Sequence, residues 1–196
     1  MNTADDLYAQ DRDLAERCLA GDRTAQRELF RSMSRRVHAT LYRIFGTNHQ
    51  IDDLVQEAFI QVFRSLELYR GEASLATWVD RCTVRVAYAA FRSRKRRVGY
   101  LEAMPDVASD EPSAEQRLVA RDALRKLYAI LDRLDPDHRV AFALFALDGR
   151  SMEDVARLTE ASLPATKSRV LRARREVESR ARKDPALLAF VPEEDP

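Results

Sequence analysis

An all-α fold is predicted for this chain: two small helical domains joined by a flexible acidic linker, the second a helix-turn-helix. Three observations predict it. Only five glycines occur in 196 residues, too few for the many tight turns of a β architecture. Apolar residues recur at steps of three and four along most of the length, which is the period of a helix that buries one face. That periodicity lapses once, over a stretch holding Pro105, Pro112 and five acidic residues between Glu102 and Glu115. The expected divisions are therefore 1–97, a linker over 98–116, 117–183, and a tail over 184–196.

In the first division a short helix runs from Asp11 to Ala20 and breaks at Gly21-Asp22. A long amphipathic helix follows, with Ala25, Leu29, Met33, Val37, Leu41 and Ile44 on its inner face. The run Gly46-Thr-Asn-His-Gln50 interrupts it. Asp52 and Asp53 then place negative charge where the next helix exposes unpaired N–H groups, and Val55, Ala58, Phe59, Val62 and Leu66 form its apolar stripe. After a turn at 69–73, Ser74 is a candidate cap for a helix whose inward positions are Leu75, Trp78 or Val79, Cys82, Val86, and Ala89 or Ala90.

The second division is built of shorter, sharply punctuated helices. Leu118, Leu124, Leu127, Leu131 and Leu134 line one that ends before Asp135-Pro136, where Asp caps and Pro opens the next. That next helix carries Val140, Phe142, Leu144 and Phe145 and stops at Asp148-Gly149. Ser151-Met-Glu-Asp154 begins a third in the manner of a capping box, with Val155 and Leu158 inward. Ser162 caps a fourth, whose inward stripe is Leu163, Thr166, Val170, Ala173 and Val177. A short helix, a tight turn and a longer cationic helix constitute a helix-turn-helix, the last helix being offered to a major groove.

Charge points to the partner. Net charge is only +1, so a uniformly basic coat is excluded and any polyanion surface must come from segregation. The segment Arg92-Ser-Arg-Lys-Arg-Arg97 supplies that segregation, because clustered cations bind a polyanion by releasing its counterions. Aromatic residues upstream, Tyr69 and Trp78, can stack on unpaired bases. Nucleic acid is the plainest partner.

Other classes are disfavoured. Cys18 and Cys82 lie in apolar-periodic segments, and His38, His49 and His138 are scattered, so neither a metal site nor a disulfide scaffold is expected. No glycine-rich phosphate loop and no nucleophile with a nearby base is present, so neither a catalytic residue nor a cofactor is expected. Without an apolar run of ~18 residues or a leader pattern, a cytoplasmic protein with no membrane insertion is expected.

The stretch Asp53-Leu-Val-Gln-Glu-Ala-Phe59, then Phe63-Arg, Tyr69-Arg-Gly-Glu and Ala76-Thr-Trp-Val79, resembles the promoter-melting domain of the extracytoplasmic-function sigma factors, sigma-70-family initiation subunits of bacterial RNA polymerase. Asp148-Gly-Arg-Ser-Met-Glu-Asp-Val-Ala156, Ala165-Thr-Lys-Ser-Arg169 and Arg172-Ala-Arg174 resemble their C-terminal helix-turn-helix. The resemblance spans residues 11 to 182. It implies a protein that is not an enzyme but gives core RNA polymerase its promoter specificity, with an anti-sigma protein as a further partner.

Roles follow residue by residue from that resemblance. Asp53, Gln56 and Glu57 match positions that dock on the polymerase clamp, an alternative being ordinary helix N-terminal charge. Tyr69, Arg70, Glu72 and Ser74 match the loop that receives a base flipped from the minus-10 element, and the Tyr69 ring on a loop is expected to be free to stack. Trp78 matches a residue near the melted junction, with core packing as its alternative. Arg85, Arg92, Arg94, Lys95, Arg96 and Arg97 complete the minus-10 surface. Pro164, Ala165, Ser168 and Arg172 match positions that read minus-35 DNA, and Lys167, Arg169 and Arg175 would set register on its phosphates.

The chain also departs from the family pattern. Arg85 stands where the family usually carries asparagine and Ala89 where it carries a polar residue, so base specificity cannot be transferred. Thr159-Glu-Ala161 replaces a turn that usually contains glycine. If Glu160 takes positive φ, strain of about 1 kcal/mol or more is expected. Two other functions stay open: a sigma-like mimic that binds an anti-sigma protein, or a polymerase-independent helix-turn-helix regulator. The tail, Asp184-Pro-Ala-Leu-Leu-Ala-Phe-Val191 and Pro192-Glu-Glu-Asp-Pro196, has no counterpart in the family and could pack on its own domain, cover another surface or bind a partner.

Overall fold

The computed structural model describes residues 3–46, 50–94 and 114–188, with side chains over 8–46, 50–93 and 118–188. All elements among them are helical: α1 Thr3–Leu19, α2 Arg23–Phe45, α3 Ile51–Ser65, α4 Leu75–Arg94, α5 Ala114–Leu131, α6 Pro136–Phe142, α7 Met152–Leu158, α8 Leu163–Ala181 and α9 Pro185–Leu188. The chain divides into two compact units, residues 1–42 with 49–99 and residues 43–48 with 100–196. Residues 95–113, which hold most of the expected linker together with Lys95, Arg96 and Arg97, lie outside the described residues. So does the tail beyond 188.

In the first unit, α1 begins eight residues before the expected Asp11 and ends at Leu19. Gly21 turns the chain at φ 83, and Asp22 then caps α2, its Oδ1 accepting the N–H groups of Thr24 and Ala25 at 2.7 and 3.3 Å. Those backbone donors, with Arg17 beside them, hold the Asp22 carboxyl below its ordinary pKa. Ala25, Leu29, Val37 and Leu41 are buried as the period requires.

Against α2 pack α3 and α4. Ala58, Phe59, Val62 and Leu66 are buried and are joined by Ile51, whereas the expected Val55 is only half-buried. The rings of Phe30 and Phe59 meet at 4.6 Å between centroids. On α4 the core takes Leu75, Val79, Cys82 and Val86, so Val79 settles the choice left open with Trp78. Ala89 is exposed and Ala90 half-buried; Ala87 fills the core instead. The rotation of α4 is fixed by Asp80, only 2% exposed, which receives two hydrogen bonds from the Arg36 guanidinium at 2.8 and 2.7 Å.

In the second unit, Leu131 is fully buried and Leu124, Leu127 and Leu134 pack against the core, but Leu118 is 68% exposed. Six residues of helix separate Leu118 from Leu124, a rotation of roughly 240° at ~100° per residue, so the two cannot share a face. Asp135 caps α6 by accepting the Asp137 N–H at 2.9 Å, with Pro136 in the first turn. The helix then widens into a π turn over Ala143–Leu147, where Asp148 N–H reaches back to Ala143 O at 2.9 Å. Phe145, expected inward, is 38% exposed: it stands five residues beyond buried Val140, a rotation of roughly 140° at ~100° per residue.

Ser151 accepts the Asp154 N–H at 3.0 Å, and Ser162 accepts the Ala165 N–H at 3.3 Å, so both expected caps are made. Between them Glu160 adopts φ 54, and the following Ala161 N–H closes onto Ala156 O at 3.0 Å. The turn is thus the left-handed one that usually selects glycine, made here with glutamate. On α8, Thr166, Val170, Ala173 and Val177 are buried, and Leu163 is half-buried.

Of the destinies open to the tail, residues 184–188 pack on their own unit. Leu187 is 5% exposed and shares a cluster with Tyr128, Ile130 and Ala181. Asp184 anchors it, bound to Lys126 Nζ at 2.8 Å and capping Ala186 N–H at 3.0 Å.

Candidate nucleic-acid interface

The turn between α3 and α4 builds a cleft of about 240 Å³ in the first unit, lined in part by Tyr69, Arg70, Glu72, Thr77, Trp78 and Arg81. A 3-10 turn, Leu66–Leu68, carries the chain off α3, and Gly71 at φ 69 reverses it. Tyr69 is not free, contrary to expectation. Its hydroxyl donates to Ala73 O at 2.8 Å, and its ring meets Trp78 edge-on at 5.8 Å and 61°. A short loop that closes on its own carbonyl leaves the ring one orientation and presents an aromatic wall in place of a swinging side chain. Burial, with the Asp11 carboxylate nearby, pushes the Tyr69 phenol up to about 12. The ring is therefore neutral at physiological pH.

Ser74, assigned to DNA in the sequence, is occupied with α4. Its Oγ accepts the Thr77 N–H at 3.2 Å and lies 2.9 Å from Thr77 Oγ1. Trp78 is half-buried and forms cleft wall, and its Nε1 has no hydrogen-bond partner among the described residues. Arg81 was not identified from sequence. It lies three residues beyond Trp78, and Trp78, Arg81, Arg85 and Arg92 fall within roughly 60° of arc on α4 at ~100° per residue. Arg85 and Arg92 are exposed. The aromatic cleft and a cationic track thus share one face of one helix, and helical spacing from Trp78 could have found Arg81. Arg94 closes α4.

Asp53, Gln56 and Glu57 are exposed on α3 beside Asp52, in a group separate from the cleft. Together they form an acidic surface in and just after the first turn of the helix.

In the second unit, α8 turns its buried stripe onto α6 and α7, leaving Pro164, Lys167, Arg172 and Arg175 exposed. Ser168 and Ala165 are half-buried, the Ala165 N–H being used by the Ser162 cap. Arg169 is tied to another helix, its guanidinium bonding Asp137 Oδ2 on α6 at 2.7 Å, whereas Arg174 pairs within α8 with Glu178. Exposed Leu171 lies among the cations, an apolar position overlooked in the sequence. A cationic helix face with small residues at its N-terminal end can contact phosphates and base edges together.

The chain matches the Sigma-70 region 2 family over residues 29–97 and the Sigma-70, region 4 family over residues 124–177. It is 29% identical over 179 residues to the ECF RNA polymerase sigma-E factor of Haemophilus influenzae, covering 87% of this chain and 94% of that protein. The sigma-E factor of Escherichia coli is also 29% identical, over 87% and 93%. The ECF RNA polymerase sigma factor SigE of Mycolicibacterium smegmatis is 32% identical over 154 residues, 76% of this chain and 59% of that one. Among solved structures, CnrH in complex with the cytosolic domain of CnrY matches with a TM-score of 0.62 and 22% identity, over 89% of this chain and 98% of that chain. The sigma factor RpoE bound to the anti-sigma factor NepR, from Bartonella quintana, matches at 0.59 and 21%, over 78% and 94%. These two share the fold. With both sigma-70 regions matched in order on two helical units, one with a turn-built aromatic cleft and the other with a cationic recognition helix, the chain belongs to the extracytoplasmic-function group of the sigma-70 family.

Proposed function

We propose that this sigma factor brings core RNA polymerase to its promoters by dividing recognition between its two units. Asp53, Gln56 and Glu57 dock on the polymerase. The face of α8 with Pro164, Ala165, Lys167, Ser168, Arg172 and Arg175 reads minus-35 duplex, joined by Arg169 once it leaves Asp137. The cleft at Tyr69, Arg70, Glu72 and Trp78 takes a base unstacked from the minus-10 element, while Arg85, Arg92 and the cations of 94–97 hold the phosphates of the same strand.

One observation carries this reading: the aromatic cleft opens on the same face of α4 as the arginine track. A stacked base contributes ~1–3 kcal/mol, comparable with what it costs to unstack it, so the cleft supplies the local driving force and the track holds the strand in register. The chain has no reaction of its own and lends specificity to the polymerase. An anti-sigma protein is the expected inhibitor, and the cytoplasm the expected site of action. No helix among the described residues is long and apolar enough to cross a membrane. The acids between Glu102 and Glu115 would imitate RNA along the polymerase exit path, so neutralising them should alter abortive against productive yields.

Transcription with purified core polymerase tests the assignment. The holoenzyme should initiate from a defined start, with minus-10 thymines becoming reactive to permanganate. Failure to associate, or association with the template still paired, overturns it. A sigma-like mimic would give no start, and a regulator would act only with another sigma present.

A further inference from the structure

The first helix reaches the base-receiving turn from about sixty residues away in sequence. The Leu75 N–H, at the first position of α4, donates to Asp11 Oδ2 at 2.8 Å. Next to it in α1, Arg12 Nη2 donates to Gly71 O at 3.4 Å. The guanidinium lies so close over the turn that a Cβ at Gly71 would collide with Arg12 Nε. Tyr69 feels the charges of both Asp11 and Arg12. Two consecutive residues of α1 therefore hold both ends of the segment 71–75, whose aromatic neighbours Tyr69 and Trp78 form the cleft.

The chemistry explains why the grip is needed. Leu75 is fully buried, and its N–H is one of the orphan donors of a helix start. Ser74 already serves the Thr77 N–H, so the Leu75 donor needs an acceptor from elsewhere, and Asp11 supplies a charged one at the positive end of α4. Gly71 adopts φ 69, where a five-residue turn without side-chain support would sample other conformations. Arg12 fixes its carbonyl.

We infer that α1 sets the shape of the base cleft, with Asp11 and Arg12 as positioning residues for base selection: they hold the 71–75 turn so that the Tyr69 and Trp78 walls keep one separation. The inference rests on the proposed minus-10 role of that cleft. It assigns to α1 a part in deciding which base is accepted, as distinct from how tightly the strand is held, which belongs to the arginines of α4.

The test uses the full-length chain assembled with core polymerase and a pool of single-stranded oligonucleotides randomised over six positions, scored by base preference at each. The wild-type holoenzyme should show a strong preference at the position the cleft receives. Asp11→Ala and Arg12→Ala should reduce preference at that position alone by roughly fivefold, the worth of one net hydrogen bond, with total affinity little changed. Asp11→Asn keeps an oxygen that accepts the Leu75 N–H and should restore the preference. Arg12 is exposed, so its alanine variant reports on the cleft even if Asp11→Ala folds poorly. Undiminished preference in Arg12→Ala together with folded Asp11→Ala, equal loss at all positions, or an Asp11→Asn variant as defective as Asp11→Ala overturns the inference. Should the wild-type holoenzyme show no preferred position, the base-capture reading fails and this inference falls with it; intact wild-type preference with unaffected variants sinks the α1 role alone.

Discussion

Arg169 of α8 and Asp137 of α6 are joined at 2.7 Å, so a cation on the recognition helix is held by an acid of its own unit. On a wheel of α8, Arg169 lies beside the buried stripe, whereas Pro164, Ser168 and Arg175 cluster on the outer face. In the proposed minus-35 interface Asp137 would compete with a DNA phosphate for the Arg169 guanidinium. Replacing Asp137 with Asn should therefore strengthen duplex binding by ~2–5-fold, the worth of an exposed ion pair, and steepen the salt dependence by about one counterion. Anisotropy titrations across salt concentrations would show it. An unchanged slope would mean that Arg169 stays out of the interface.

Glu160 occupies a left-handed turn at φ 54, where a side chain costs roughly 1–2 kcal/mol and glycine almost nothing. Glu160→Gly should stabilise the helix-turn-helix by about 0.5–1 kcal/mol after the entropy that glycine adds to the unfolded chain. For a unit of this size that is an increase of several degrees in the unfolding midpoint, measurable by circular dichroism. A lower midpoint would show that the glutamate side chain contributes more than its backbone costs.

Tyr69 makes a pH prediction with a definite sign. Its folded phenol holds the proton more tightly than an unfolded one, so the associated stability is complete below pH 10 and is lost as pH rises toward about 12. The difference in phenolate absorbance between the native chain and Tyr69→Phe should show one ring titrating near 12. A midpoint near 10 would mean that the ring is solvated and the cleft open.

Leu187 lies 5% exposed beside Tyr128, Ile130 and Ala181. Truncating it to alanine should cost the second unit about 2 kcal/mol, the low end for a buried leucine because the four-residue α9 that carries it can shift to relax the site. Thermal unfolding of the full chain would detect the loss. An effect near zero would make the tail a passenger on the surface.

The sequence alone was sufficient for the local features. Gly21-Asp22, Asp135-Pro136, Ser151 and Ser162 each mark a boundary that the structure keeps, because a cap satisfies N–H groups two or three residues away and needs nothing from farther off. The buried stripe of α8 was legible because Thr166, Val170, Ala173 and Val177 are set by helical period alone. Phe145 and Leu118 are exposed because neither shares the phase of the inward positions on its own helix, Val140 for the one and Leu124 for the other.

Folding decided what the cleft is. That Tyr69 is pinned, that Arg81 joins Trp78, and that Asp11 and Arg12 grip a turn some sixty residues downstream depend on contacts between distant segments. Periodicity shows only which face of a helix is turned inward. Which residue of another helix meets it is set by packing, and there a difference of one position along α1 would leave the Leu75 N–H without its acceptor.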